Sequence, residues 1–112
     1  MKISLAMAII GIVGMAILAY YVEPPEVAIG TIADDDLGRV VKIKGIVSGY
    51  YKTEEAGFFK ISDSTGSIKV VVFRKSGNYN MRLEDSDVVT AIGKISIYKN
   101  EYEIVAESVK KV

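Results

Sequence analysis

Eight side chains in the middle of the chain carry the chemistry on offer: Lys42, Lys44, Tyr50, Phe58, Lys60, Lys69, Phe73 and Arg74. Lysine and arginine bring positive charge and hydrogen-bond donors to anions, and aromatic rings bring flat faces that stack on planar groups and attract cations. In an extended chain successive side chains point to opposite faces. If Ile61, Ile68, Val70 and Val72 point inward, Lys60, Lys69 and Phe73 point outward. Along Arg39–Tyr51, Val41, Ile43 and Val47 share one parity, and Lys42, Lys44, Ile46, Ser48 and Tyr50 share the other. Cations and rings are thus expected on one outer surface, which Arg74 and Lys75 extend. A plainer reading is that strand lysines keep a small sheet soluble and its edges unpaired, while Phe58 or Phe73 closes one end of the core.

Other chemistries are poorly served. The chain has no Cys and no His, so it lacks thiolate ligands, disulfides, and the usual acid–base residue of neutral pH. Asp34-Asp35-Asp36 reads as the start of a short helical turn, where carboxylates meet the positive end of the dipole, ahead of a cation site. Glu84, Asp85 and Asp87 read as a solvated turn ahead of a hydrolytic pair. No catalytic residue, metal or cofactor is expected, and the protein is not read as an enzyme.

The elements that must position these residues are strands. Phe58–Ser62 and Ser67–Phe73 alternate on either side of Asp63, Ser64, Thr65 and Gly66, which is a hairpin pattern. Arg39–Tyr51 is a long first strand, in which Gly45 and Gly49 mark a bend or bulge. Arg74–Asp87 is polar and irregular, with room for only a short helix. Asp87–Tyr98 and Tyr102–Val112 are two further strands, joined by a tight turn at Lys99-Asn100-Glu101. Five strands with a long, glycine-bent first member predict an all-β Greek-key barrel closing at residues 38–112.

Charge and hydropathy divide the rest. The 112 residues have zero net charge through cancellation. Residues 39–112 carry 13 Lys and Arg against 9 Asp and Glu, a net +4, while 23–38 carry five carboxylates and no base. Residues 23–37 read as an acidic, Pro-containing linker, although Val27–Ile32 is apolar enough to pack on the barrel. Residues 3–22 are 20 in a row without a charge, and a helix of that length spans the hydrocarbon layer of about 30 Å. Tyr20 and Tyr21 fall at the interface, and Pro24-Pro25 ends the helix. A single-pass anchor over residues 1–22 is expected. The alternative is a cleaved signal peptide, whose best cut, after Ala19, leaves Ile17 at an unsuitable position. Lys2 before the span and Glu23 and Glu26 after it favour a domain outside the cytoplasm. Abundant Ile, Val, Lys and Glu without Gln resemble thermophilic usage.

The residues that mark the barrel also carry a family resemblance. They are Gly38, Val41 and Lys44-Gly45-Ile46-Val47, then Phe59-Lys60-Ile61-Ser62-Asp63-Ser64-Thr65-Gly66-Ser67-Ile68 with Val70, Val72 and Phe73. Asp87, Val89, Gly93-Lys94-Ile95, Tyr98 and Glu103-Ile104-Val105 complete the set. Residues 38–112 in this pattern resemble the OB-fold nucleic-acid-binding domain of the tRNA-anticodon-binding type. The resemblance implies a five-stranded OB-fold Greek-key barrel that binds single-stranded nucleic acid on the outer face of its first three strands, phosphates against lysines and bases on rings. A tethered barrel also resembles the haem chaperone of cytochrome c maturation, but that family attaches haem through a His or Cys that this chain lacks. The remaining alternative is an extracytoplasmic interaction or assembly module whose partner is a protein of the membrane or envelope.

Overall fold

Alternation of apolar and polar residues gives each strand one face for a core, and five such strands close on themselves. The computed structural model describes residues 24–112. Its strands are β1 (Val40–Lys52), β2 (Ala56–Asp63), β3 (Gly66–Phe73), β4 (Val88–Tyr98) and β5 (Glu101–Lys111). They form a closed barrel in the order β1-β2-β3-β5-β4. The core holds the inward residues of every strand, with Phe59 the largest fully buried side chain. The expected membrane span over residues 3–22 lies outside the described residues. Among the described residues no helix is long and apolar enough to cross a membrane.

β1 belongs to both halves of the barrel. Its first part, Val40–Ile46, pairs with β4, and its second, from Ile46 onward, pairs with β2. Strands change sheets through close approach, and Gly93 in β4 shows how little room is left. A Cβ there would stand 2.4 Å from the Val105 carbonyl oxygen. Three parallel pairs, Lys69↔Glu103, Val70↔Ile104 and Val71↔Val105, seal the barrel between β3 and β5. The β4–β5 turn is as tight as expected: Lys99 and Asn100 both have positive φ, at 51° and 63°, the pattern of a type I′ hairpin.

The acidic stretch is docked against the barrel. The Val27 amide donates to the Lys42 carbonyl at 3.0 Å, and the Lys42 amide donates to the Pro25 carbonyl at 2.9 Å. This covers an edge of β1. Ile29 is buried in the core, with Val27 and Ile32 packed beside it. The Asp63 turn holds the segment in place, since Asp63 Oδ2 accepts the Ile29 amide at 2.9 Å and Thr65 Oγ1 accepts the Gly30 amide at 2.8 Å. Asp34–Asp36 forms a 3₁₀ turn, in which Asp36 accepts the Ala33 amide and pairs with Arg39 at 3.0 Å.

Candidate nucleic-acid interface

The outer face of β1–β3 is shaped by a bulge. Ser48 opposes Lys60 and Tyr51 opposes Phe58, so two residues of β1, Gly49 and Tyr50, face the single residue Phe59. Gly49 has φ +66°, a left-handed conformation that glycine adopts without strain. Asp85 Oδ1 accepts the Gly49 amide at 2.9 Å and fixes the bulge. The extra residue inverts the alternation beyond it. Tyr50 therefore turns inward, against the expectation from simple parity. Its ring lies 6.3 Å from that of Phe59, and its hydroxyl donates to the Met81 carbonyl at 3.1 Å.

Tyr51 takes the outward position instead. Its ring stacks on Phe58 at 4.9 Å and 20°. Lys69 Nζ lies 5.3 Å from the Phe58 centroid and 6.0 Å from that of Tyr98, and Lys99 Nζ lies 5.4 Å from Tyr98. Tyr98 ends β4 and Lys99 opens the β4–β5 turn, both bordering the same face. Val71 floors a cleft of about 430 Å³ bordered by Tyr51, Phe58, Phe73, Tyr98 and the carboxylates Glu55 and Glu103. Three of the rings are half open to solvent: Tyr51 at 54%, Phe73 at 51% and Tyr98 at 55%. Exposed aromatics clustered around a cation are costly to keep in water and well suited to stacking on flat ligands.

Lys60 and Lys69 sit directly opposite each other on this face. Among the described residues neither forms an ion pair. Like charges in direct cross-strand register are destabilising, and an arriving polyanion relieves that repulsion. Arg74 is exposed just past Phe73, its amide donating to the Glu55 carbonyl at 2.9 Å.

Four of the eight expected residues, Phe58, Lys60, Lys69 and Phe73, thus share one surface, and Arg74 is exposed at its edge. Lys42 and Lys44 do not join them. They lie on the part of β1 that pairs with β4, opposite Ile92 and Thr90, and Lys44 is four residues along β1 from Ser48, the partner of Lys60. Tyr51, Tyr98 and Lys99 were absent from the sequence-based set. Gly49 and the Lys99-Asn100 turn were their only traces. The carboxylates of 84–87 serve the backbone: Asp87 accepts the Glu84 amide at 2.9 Å and meets Lys111 at 3.5 Å. That hydrogen bond, helped by Lys111, draws the Asp87 carboxyl below its ordinary range.

Residues 37–112 match the family described as OB-fold nucleic acid binding domain. The chain belongs to that family. It is 27% identical over 104 residues to an uncharacterised protein of Methanocaldococcus jannaschii, covering 80% of this chain and 50% of that one. It is 30% identical over 80 residues to the exodeoxyribonuclease 7 large subunit of a Thermoanaerobacter species, covering 69% of this chain and 20% of the subunit. The chain therefore spans at most half the length of these curated relatives. Among solved structures, the barrel superposes on asparaginyl-tRNA synthetase from Pyrococcus horikoshii with a TM-score of 0.70 at 19% identity, over 77% of this chain and 22% of the synthetase. A replication protein A heterotrimer bound to ssDNA gives 0.58 at 17% identity, over 68% of this chain and 58% of that one. At such identities the likeness concerns the fold.

Proposed function

We propose that the chain binds single-stranded nucleic acid, without catalysis, on the outer face of β1–β3, and that residues 3–22 hold it at a membrane. The observation that carries the binding reading is the cleft lined by Tyr51, Phe58, Phe73 and Tyr98, with Lys69 over the Phe58 and Tyr98 rings and Lys60, which forms no ion pair among the described residues, beside it. Rings accept unpaired bases of any sequence, and lysines follow the phosphates. Duplex bases are stacked on one another and offer the rings nothing. Glu55 and Glu103 at the rim temper the positive field, so micromolar affinity is expected. Tethering is supported by the uncharged run of 20 residues before Pro24. Its flanking charges favour a domain outside the cytoplasm.

The test is fluorescence anisotropy of labelled oligo-dT with the full chain at two salt concentrations. If Lys60, Lys69 and Lys99 each neutralise a phosphate, log Kd changes with log salt at a slope of about 2 in magnitude, from roughly 0.7 per contact on a single strand. Lys69→Glu lowers affinity and flattens the slope. Lys44→Glu, off the face, leaves both nearly unchanged. Equal competition by duplex DNA, or no binding at low salt, would sink the proposal and favour a protein partner.

A further inference from the structure

Around the barrel from the aromatic face, the first part of β1, β4 and the end of β5 present a second surface of different composition. Lys44, Thr90 and Lys110 stand side by side in register. Beside them runs an apolar row: Ile46 opposes Val88, and the Val112 amide donates to the Val88 carbonyl at 2.9 Å. These three are exposed, Ile46 at 52%, Val88 at 39% and Val112 at 75%. Lys94, two residue pairs further along β4 from Ile92, adds another exposed cation. Among the described residues Lys44, Lys94 and Lys110 form no ion pair. Carboxylates border this surface too: Glu26, whose backbone is β-bridged to that of Lys42, Asp87, which stands beside Val88 and pairs with Lys111, and Glu107 in β5. A groove of about 720 Å³ bordered by Val27, Lys44, Ile46 and Val88, with the carboxylates Glu26 and Asp63 on its other side, runs along this surface.

We propose that this face rests on an anionic lipid surface. Solvated lysines beside exposed aliphatic side chains are the composition of an interfacial site, in which charge seeks headgroups and methyl groups enter the headgroup boundary. The face has no aromatic residue, so stacking on bases is not available to it. Chain geometry agrees: the Pro25 carbonyl accepts the Lys42 amide, so the described residues begin beside Lys42, at the edge of this face. The inference rests on the tethering reading for that placement. It adds an orientation, because seating this face on the bilayer turns Tyr51, Phe58 and Tyr98 away from the lipid and toward a ligand.

The test uses the full chain in phosphatidylcholine vesicles and in mixed phosphatidylcholine–phosphatidylglycerol vesicles. Amine-reactive labelling read by mass spectrometry reports each lysine. Each lysine near an anionic surface strengthens association about fivefold. Labelling of Lys44, Lys94 and Lys110 is therefore expected to slow severalfold in the mixed vesicles and to recover in high salt, with Lys60 and Lys69 unaffected. In the Lys44→Gln, Lys110→Gln double variant, protection of Lys94 is expected to vanish while oligo-dT binding persists. Equal labelling in both vesicles overturns the inference, even where the chain floats with both. Failure to float with neutral vesicles removes the tether alone; labelling in the mixed vesicles then judges the face by itself. Protection of Lys44 and Lys110 by oligo-dT would overturn it in favour of a longer nucleic-acid path.

Discussion

Adjacent tyrosines in β1 give the sharpest test of the site, because the bulge assigns them opposite duties. Tyr51→Ala removes a ring that is 54% exposed and stacked on Phe58 at 4.9 Å. An aromatic pair contributes about 0.5–1.5 kcal/mol beyond its buried area, and exposure puts this one at the low end. Folding stability should fall by less than about 1 kcal/mol. If a base stacks on the ring, binding loses about 1–3 kcal/mol, a five- to 150-fold rise in Kd. The salt slope stays put, since stacking releases no counterions. Tyr50→Ala has the converse effect. It empties a part-buried site against Phe59 and the core, and strands the Met81 carbonyl that accepts its hydroxyl at 3.1 Å. The expected loss is about 3 kcal/mol of stability with Kd of the folded protein unchanged. Urea unfolding and oligo-dT anisotropy on both variants separate the two. Weakened binding in a fully stable Tyr50→Ala protein, with Tyr51→Ala silent, would show that the alternation is not inverted and the reasoning is wrong.

Gly93→Val places a Cβ 2.4 Å from the Val105 carbonyl oxygen, a backbone atom that cannot rotate away. Such overpacking should lower stability by about 3 kcal/mol, and a urea midpoint close to wild type would contradict the close approach of β4 to β5 at Gly93. Lys60→Ser relieves the repulsion with Lys69 and should raise stability by about 0.2–1 kcal/mol, yet cut the salt slope by about 0.7. A variant that is both less stable and equally tight would disprove the like-charge reading. Hydrogen bonds from the Ile29 amide, Thr65 and Gly66 lower the Asp63 carboxyl from 3.8 to about 2. Its contribution is whole above the unfolded value near 3.8 and is lost as pH falls toward 2. Amide exchange at Ile29 and Gly30 should speed up over that window ahead of exchange in β3, whereas pH-independent protection would exclude Asp63 as the anchor.

Much of the barrel was legible because its physics is local. Period-2 alternation marked the strands, and the observed ends of β1, β4 and β5 fall within a residue or so of the expected ones. The hairpin is longer than its alternation suggested. Ala56 and Gly57 pair with Phe73 and Val72, positions where small residues hide the pattern. The role of residues 24–37 was only half legible. Acidic composition suggested a spacer, while burial of Ile29 depends on the Asp63 turn offering acceptors to two backbone amides, a long-range match that composition does not encode.

The site was less legible than the fold, for a reason visible in β1. Parity predicts a face only while a strand keeps one partner and one residue per pleat. β1 breaks both conditions. It changes partner from β4 to β2 at Ile46, so Lys44 and Ser48 share a parity yet belong to different surfaces. It then gains a residue at Gly49, so Tyr50 and Tyr51 exchange roles. The glycines that raise suspicion of a bend are also the places where counting by twos must restart. Restarting the count after Gly49 yields Tyr51 directly, and stopping the basic face at Ile46 removes Lys42 and Lys44 from the β1–β3 face and leaves them on the second surface. A curved barrel wall thus divides one run of alternating lysines between two surfaces. The aromatics tell the two apart: rings stand among the lysines of the β1–β3 face, and aliphatic side chains stand among those of the other, which is the difference the two proposals rest on.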